Sequence, residues 1–119
     1  MPLTQAVTRR KIHHRQIDSQ GFLREDGLWD IETRLIDTKE KKIVVIERGE
    51  IEPGEAIHDI SLRLTIDSEL VIKNIEVSTD FAPMKACSNP NLWYKKLIGE
   101  KIETGWRQKV KTIFAGVEG

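Results

Sequence analysis

Stretches in which apolar and polar residues alternate dominate the chain, and the clearest two of them meet at Glu25-Asp26-Gly27. An Asp-Gly pair tolerates the positive φ values of a tight β-turn, so this stretch predicts a hairpin and the register of its two strands. In the strand after the turn, alternate positions form two sets, which we call its two parities. The first is mainly apolar, with Trp29, Ile31, Thr33 and Leu35, and the second is charged, with Asp30, Glu32 and Arg34. Because successive side chains of a strand point to opposite faces, one face of the hairpin is predicted to be core and the other charged.

Further alternation predicts an antiparallel sheet of about four strands, built from two hairpins. The first hairpin comprises the strands from Lys11 to Leu23 and from Leu28 to Thr38. The second comprises a regular strand from His58 to Ile66 and a strand from Leu70 to Thr79. Between the hairpins, the β-forming run from Ile43 to Ile46 predicts a short edge strand. The lysines before it are interpreted as solvent-exposed charges that disfavour pairing of this edge with another chain.

The last third of the chain predicts two helices that cover the sheet. The first begins near Pro90, in the first helical turn, and ends at Gly99. The second begins near Thr104, and helical spacing places five of its apolar residues in one stripe: Trp106, Val110, Ile113, Phe114 and Val117. Strands followed by helices predict an α+β fold, a two-layer sandwich whose sheet is covered on one face by two C-terminal helices. Residues 1–119 are predicted to form one domain, with residues 1–10 as a loose lead-in.

Composition narrows the classes of function without selecting one. The chain holds 19 Lys and Arg against 19 Asp and Glu, so its formal net charge is zero and a generic nucleic-acid or membrane-surface binder is disfavoured. No apolar run approaches the roughly 20 residues of a membrane span, and the N-terminus lacks the apolar segment of a signal peptide. The single cysteine, Cys87, has no intramolecular disulfide partner, which agrees with a reducing compartment. A cytoplasmic protein is therefore expected.

A series of short motifs covers nearly the whole chain: His13-His14-Arg15, Arg24 to Glu32, Asp37-Thr38-Lys39, Glu47-Arg48-Gly49, His58-Asp59, Arg63 to Asp67, Cys87, Leu97-Ile98-Gly99 and Gly105-Trp106. The series closely resembles a bacterial family of uncharacterised proteins, the domain of unknown function 2889, and the string Asp-Gly-Leu-Trp-Asp-Ile-Glu is its most specific part. Members of that family resemble one another further in a segment of Gly-Cys-Thr-His-Leu type after the position of Gly119. The resemblance therefore implies a fragment, and it implies no particular activity.

The histidines and the cysteine are the residues with the clearest metal-binding potential. A site made of His13 or His14, His58 and Cys87 has the donor types for zinc or an iron–sulfur centre. The resemblance implies that family members complete it with the Cys and His of the following segment. Adjacent strand residues point to opposite faces, so His13 and His14 do not both serve one site. The competing interpretation is that each histidine is a hydrogen-bonded structural residue.

Two further chemistries rest on the thiol and the carboxylates. Cys87 is a candidate nucleophile if Lys85 or a following helix N-terminus lowers its pKa. An acid–base or hard-metal site is the second candidate, and it draws on five aspartates: Asp26, Asp30, Asp37, Asp59 and Asp80. Ion pairs across strands, with Arg15, Arg24 or Arg63, are the favoured explanation of those charges. The three tryptophans fall on apolar parities and are interpreted as core: Trp29, Trp93 and Trp106.

Three functions are consistent with these residues. The first is a small cytoplasmic binding or accessory protein that holds a metal or an iron–sulfur centre through Cys87 and His58, which a loose similarity in outline to iron–sulfur scaffold proteins also suggests. The second is an enzyme that uses the Cys87 thiolate, or a carboxylate with His58. The third is a non-catalytic subunit whose apolar helix face binds a protein partner or a second copy of the chain.

Overall fold

The computed structural model describes residues 2–45, 48–81 and 91–115. Six strands precede the helical segments: β1 (His13–Leu23), β2 (Trp29–Lys39), β3 (Ile43–Val45), β4 (Gly49–Ile51), β5 (Ala56–Ile66) and β6 (Ile72–Phe81). After them come the helical turn α1 (Asn91–Tyr94), a 3-10 turn (Lys95–Leu97) and the helix α2 (Trp106–Ile113). No helix in the described part of the chain is long and apolar enough to cross a membrane.

Strands β1, β2, β5 and β6 form one antiparallel sheet in that spatial order. Its first hairpin has the turn predicted from the Asp-Gly pair, since Gly27 adopts a φ of +85° and the Arg24 N–H donates to the Leu28 carbonyl at 2.9 Å. The register then runs without a shift from Leu23 opposite Trp29 to His13 opposite Lys39. The predicted first hairpin is confirmed, and its register decides which side chains share a face.

The second hairpin, β5 with β6, is closed by an aspartate-centred turn. The Asp67 carboxylate accepts the N–H groups of Glu69 and Val71 at 2.9 and 3.0 Å. Between the two hairpins, β3 and β4 pair with each other in a separate two-stranded sheet. The predicted short edge strand therefore exists over Ile43–Val45, but it does not extend the main sheet; its last predicted residue, Ile46, lies outside the described part of the chain.

The predicted cover of two C-terminal helices, and with it the predicted two-layer α+β sandwich, is wrong. Among the described residues, only α2, with eight residues, is a helix of more than one turn; α1 has four residues and continues as the 3-10 turn. The first segment stays short because the backbone after it joins the sheet. The Gly99 N–H donates to the Ile72 carbonyl, and the Ile72 N–H donates to the Glu100 carbonyl, each at 2.8 Å. These long-range hydrogen bonds outcompete continuation of a helix.

The hydrophobic core lies between the β5–β6 half of the sheet and these helical segments. Five side chains are buried in it: Ile66, Ile72, Ile75, Val77 and Leu97. The described part of the predicted α2 stripe packs against them, namely Trp106, Val110, Ile113 and Phe114, whereas Val117 lies outside the described residues. No described segment covers the same face of the β1–β2 half, and Trp29 is 43% exposed. The prediction that Trp29 belongs to the core is therefore wrong, because the helical layer is too small to reach it.

Candidate functional site

An aspartate occupies a position that the strand pattern reserves for core residues. Asp37 lies on the same parity of β2 as Trp29 and Leu35, so its carboxylate points to the apolar face of the sheet. Its direct neighbours across the strands are Arg15 on β1 and His58 on β5. The sheet thus brings a buried carboxylate, a guanidinium and an imidazole into one row.

Three side chains converge on the Asp37 carboxylate, and together the four residues form what we call the Asp37 cluster. Arg15 binds it bidentately, with Nε to Oδ1 and Nη2 to Oδ2 both at 2.8 Å. The His13 Nε2 lies 3.2 Å from Oδ1, and the His58 Nδ1 lies 3.1 Å from Oδ2. Asp37 is only 2% exposed, whereas its partners are partly open to solvent. The cluster therefore combines a buried anion with reachable imidazoles.

The partners keep the buried carboxylate ionised. Hydrogen bonding from Arg15 is the largest cause that lowers the pKa of Asp37 from 3.8 to about 2, with the charges of Arg15 and His58 and the hydrogen bond from His13 acting in the same direction. Burial opposes this shift because it penalises the charged form. The net result is a carboxylate that accepts hydrogen bonds throughout the neutral range and donates none.

A carboxylate that only accepts hydrogen bonds determines which ring nitrogen of each neutral histidine carries the proton. The nitrogens that face Asp37, Nε2 of His13 and Nδ1 of His58, must donate. The lone pairs then reside on the other nitrogens, Nδ1 of His13 and Nε2 of His58. Each imidazole is thereby oriented by its hydrogen bond and, when neutral, keeps its lone pair on the nitrogen that does not contact the carboxylate.

Two of the three predicted metal ligands meet in this cluster. His13 and His58 were predicted to share a site, and both contact Asp37, while His14 is exposed and lies on the opposite parity of β1. Cys87 lies outside the described residues. Within the part of the chain that the structure describes, no group of three or more His, Cys, Asp or Glu side chains is arranged to hold a metal ion. The metal site therefore stays a prediction.

The remaining aspartates pair with neighbouring cations or the backbone. Arg34 binds Asp59 with two hydrogen bonds of 3.0 and 2.8 Å, and Arg24 lies 3.4 Å from Asp30. The hydroxyl of Thr65 donates to the same Asp30 at 2.7 Å, which lowers the pKa of that carboxyl more than any other contact does. The predicted ion pairs of Arg15 and Arg24 with aspartates are confirmed, and they account for these charges without catalysis. The side chain of Asp80 is outside the description.

The charged face of the sheet also forms a shallow, open concavity of about 550 Å³. Its charged lining holds three acids and two bases: Asp18, Glu32 and Glu76 with Arg34 and Arg63. Arg63 pairs with both Glu32 and Glu76 across the strands. Because Arg63 is bound by Glu32 and Glu76, and Arg34 by Asp59, the concavity offers less for recognition than the Asp37 cluster on the other face.

Sequence analysis named Asp37 only as one of five candidate acid–base or hard-metal aspartates and missed its central position. The signal was present in the alternation itself, because Asp37 continues the apolar parity of Trp29, Ile31, Thr33 and Leu35. A carboxylate on a core parity must find a cation or several donors, since an unpaired buried charge is strongly destabilising. Arg15 is the cation that the hairpin register places opposite it.

Comparison with known proteins gives one match. A family model described as "Protein of unknown function (DUF2889)" matches residues 13–119, which include every member of the Asp37 cluster. No curated protein and no solved structure matches the chain.

Acid should lower the free energy of unfolding by protonating Asp37. Because its folded pKa of about 2 lies below the ordinary value of 3.8, the carboxylate contributes stability that is complete above about pH 5 and is lost as the pH falls towards about 2. The shift corresponds to about 2 kcal/mol. In urea titrations over this range, the stability difference between wild type and Asp37→Asn should shrink by about that amount. Asp18→Asn, an exposed aspartate on the other face, is the control; an Asp37→Asn difference that does not change with pH would contradict this role.

The two histidines should hold opposite tautomers. Long-range nitrogen–proton correlation spectra at a pH where imidazole is neutral should show the proton of His58 on Nδ1 and that of His13 on Nε2, because each proton faces Asp37. In Asp37→Asn, His58 should shift towards the Nε2–H form that free imidazole side chains prefer. His14, which has no part in the cluster, should give the same spectrum in both proteins. Identical His58 signals in the two proteins would contradict orientation by the carboxylate.

Proposed function

We propose, from the premise that this chain belongs to the DUF2889 family of proteins of unknown function, that it is a small bacterial cytoplasmic accessory protein that binds a zinc ion through His13 and His58. The observation that carries the proposal is that one buried carboxylate, Asp37, contacts one ring nitrogen of each imidazole, so that in the neutral ring the other nitrogen holds the lone pair. The reducing cytoplasm fits a chain whose single cysteine has no intramolecular disulfide partner.

Asp37 resembles the carboxylates that hydrogen-bond to the ligating histidines of metal sites without binding the metal themselves. Metal-binding histidines commonly donate their second ring N–H to a carboxylate, which fixes the ring orientation and makes the ligating nitrogen more basic. His13 and His58 each make such a contact, at 3.2 and 3.1 Å. Arg15 balances the charge of Asp37, so that the carboxylate supports the imidazoles without itself attracting the cation as strongly as an unpaired anion would.

Cys87 is the proposed third ligand. The described sheet ends at Phe81, which lies opposite Asp59 and therefore next to His58. Cys87 follows six positions later, a distance that an extended chain covers within roughly 20 Å. Two imidazoles and one thiolate form a donor set that zinc prefers, with a fourth position left for water, a partner residue or the segment that family members carry. Zinc is favoured over an iron–sulfur cluster because clusters usually require several thiolates and this chain has one.

Zinc binding is tested by competition against a chromophoric chelator at neutral pH. Wild type should bind about one zinc ion per chain, and His13→Ala, His58→Ala and Cys87→Ala should each weaken the affinity by more than about 100-fold because each removes a ligand. Asp37→Asn should weaken it by about 10- to 100-fold, as expected for loss of an orienting partner.

His14→Ala is the matched control, since it removes the neighbouring imidazole from the opposite parity of β1 and should leave the affinity unchanged. Circular dichroism of each variant separates loss of a ligand from loss of the fold. Absence of stoichiometric zinc from wild type, or an equal loss in His14→Ala, would contradict the proposal.

The same geometry supports a second candidate, a thiol-dependent enzyme. A histidine whose Nδ1–H is held by a buried carboxylate presents Nε2 as a general base, and the 3.1 Å contact of His58 with Asp37 has this arrangement. If His58 activates Cys87, iodoacetamide should alkylate the zinc-free wild type at least about 10-fold faster at neutral pH than His58→Ala. His14→Ala should react like wild type. Equal rates in wild type and His58→Ala would remove this candidate and leave the zinc proposal intact.

A further inference from the structure

We propose that a second copy of this chain adds to the open edge of the main sheet, so that two β1 strands pair antiparallel about a two-fold axis. β1 is the first strand in the order β1-β2-β5-β6, and all eleven of its residues are exposed. No described segment pairs with its outer side. A strand edge of this kind is a template for adding another strand.

The hydrogen bonds at the two ends of the first hairpin identify which backbone groups are free. The Glu40 N–H donates to the Ile12 carbonyl at 3.3 Å, and the Arg24 N–H donates to the Leu28 carbonyl at 2.9 Å. Both pairs belong to the same unshifted register, in which hydrogen-bonded and non-hydrogen-bonded pairs alternate. Even-numbered residues of β1 therefore bond to β2. The odd-numbered ones direct their N–H and C=O groups outwards: His13, Arg15, Ile17, Ser19, Gly21 and Leu23.

β1 has neither of two features by which proteins commonly prevent edge pairing. It contains no proline, and the unbroken register excludes a bulge in its pairing with β2. Its inward-pointing charge, Arg15, is bound by Asp37. The other edge is different, because Gly99 and Glu100 bond to Ile72 and cover the beginning of β6. Within the described part of the chain, the β6 edge is covered at its start and the β1 edge is open along its length. This difference favours a closed dimer over an extended fibre.

The sequence of β1 selects one register for the pair. When two copies of β1 pair antiparallel about a two-fold axis, odd-numbered residues lie opposite odd-numbered ones and even-numbered opposite even-numbered ones. One residue therefore lies directly opposite the same residue of the partner, and the axis passes between these two. Full overlap of the two strands would place Asp18 against the partner's Asp18, which is unfavourable. A shift that puts Ile17 on the axis places Asp18 opposite Gln16 and Arg15 opposite Ser19. It forms about ten backbone hydrogen bonds between the outward-facing groups.

Charges beyond the ends of β1 include a complementary pair in this register, because Arg9 of one copy lies opposite Glu25 of the partner subunit. Arg10 lies opposite the partner's Arg24, whose charge is bound by two aspartates of its own chain. Three exposed cations precede the strand, Arg9, Arg10 and Lys11, and two exposed acids follow it in the turn, Glu25 and Asp26. Within each copy Lys11 is paired with Glu40, and Asp26 with Arg24. Antiparallel pairing places the start of one strand beside the end of the other, so the basic segment of each copy lies next to the acidic turn of its partner. Neither Arg9 nor Arg10 has an ion-pair partner within the described part of the chain. Opposite charges at both ends favour a second copy over an unrelated strand.

The exposed apolar side chains of the β1–β2 half also favour this arrangement. Ile17 is 60% exposed, and pairing on the axis would bring it against the partner's Ile17. Gly21 lies opposite His13 of the partner subunit, and a Cβ at Gly21 would meet nothing within 4 Å, so the imidazole is not crowded. The dimer is therefore compatible with the Asp37 cluster on each copy, and it does not depend on zinc.

The oligomeric state tests the proposal. Light scattering and sedimentation from about 1 µM to about 1 mM protein, with EDTA present, should show wild type approaching twice its 13.7 kDa mass. Ile17→Lys, which opposes two charges on the axis, and Ile17→Pro, which removes an outward N–H, should weaken dimerisation by more than about 100-fold. Val44→Lys is the matched control, because Val44 is 74% exposed on the small sheet, and it should dimerise like wild type. A wild type that stays monomeric at about 1 mM, or an Ile17→Lys variant that dimerises normally, overturns the proposal.

Amide hydrogen exchange gives a residue-level version of the same test. As the concentration rises, the odd-numbered amides of β1 from 13 to 21 should become protected, whereas the even-numbered amides, which already bond to β2, should not change. Protection without this alternation would assign the dimer to another surface and overturn the β1 assignment.

Discussion

The register of the β1–β2 hairpin is the constraint on which the other features of the sheet depend. A tight turn that ends with Gly27 in a positive-φ conformation starts the ladder, and the ladder then continues unshifted along both eleven-residue strands. A slip of one residue would move every side chain to the opposite face. In the observed register Arg15 stands opposite Asp37, and the outward-facing backbone groups of β1 belong to the same residues whose side chains line the apolar face.

The Asp37 cluster shows how a charge is accommodated where the pattern calls for an apolar residue. A buried carboxylate loses its hydration, and hydrophobic neighbours do not compensate for that loss. Two hydrogen bonds from Arg15 and one from each of two histidines saturate its oxygens and hold its pKa at about 2. The histidines acquire a fixed orientation as a result, because each must direct a proton towards the carboxylate. A requirement of stability thereby creates the preorganised imidazoles on which the proposed zinc site rests.

The sheet has a wide apolar face and a small helical cover, and this imbalance shapes the outer surface. The helical segments protect β5 and β6, where Ile72, Ile75 and Val77 are buried, but leave Ile17, Leu23 and Trp29 exposed. Exposed apolar side chains beside an open strand edge are unusual for a surface that stays in water. The uncovered half of the sheet is therefore consistent with association, and the charges that flank β1 favour antiparallel pairing of two copies.

The sequence by itself determined the features that depend on residues close together in the chain. Alternation with a period of two and the chemistry of the Asp-Gly turn located the strands of both hairpins, and helical spacing located the apolar stripe of α2. The first predicted helix failed because only the folded chain reveals that Gly99 and Glu100 bond to Ile72, which lies more than two dozen positions earlier. The pairing of β3 with β4 is local, but only the folded chain reveals that these two strands form a sheet of their own and do not extend the main sheet.

The candidate site likewise depends partly on local sequence patterns and partly on the tertiary structure. The sequence singled out His13 and His58, and the parity of β2 already placed Asp37 on the core face, but their meeting required three strands in one register. Only the tertiary structure decided that Arg15 neutralises the carboxylate, that the imidazoles flank it, and that the helical layer ends before Trp29. The physical reason is that side-chain alternation is a local property of each strand, whereas burial and ion pairing depend on which strands and helices become neighbours.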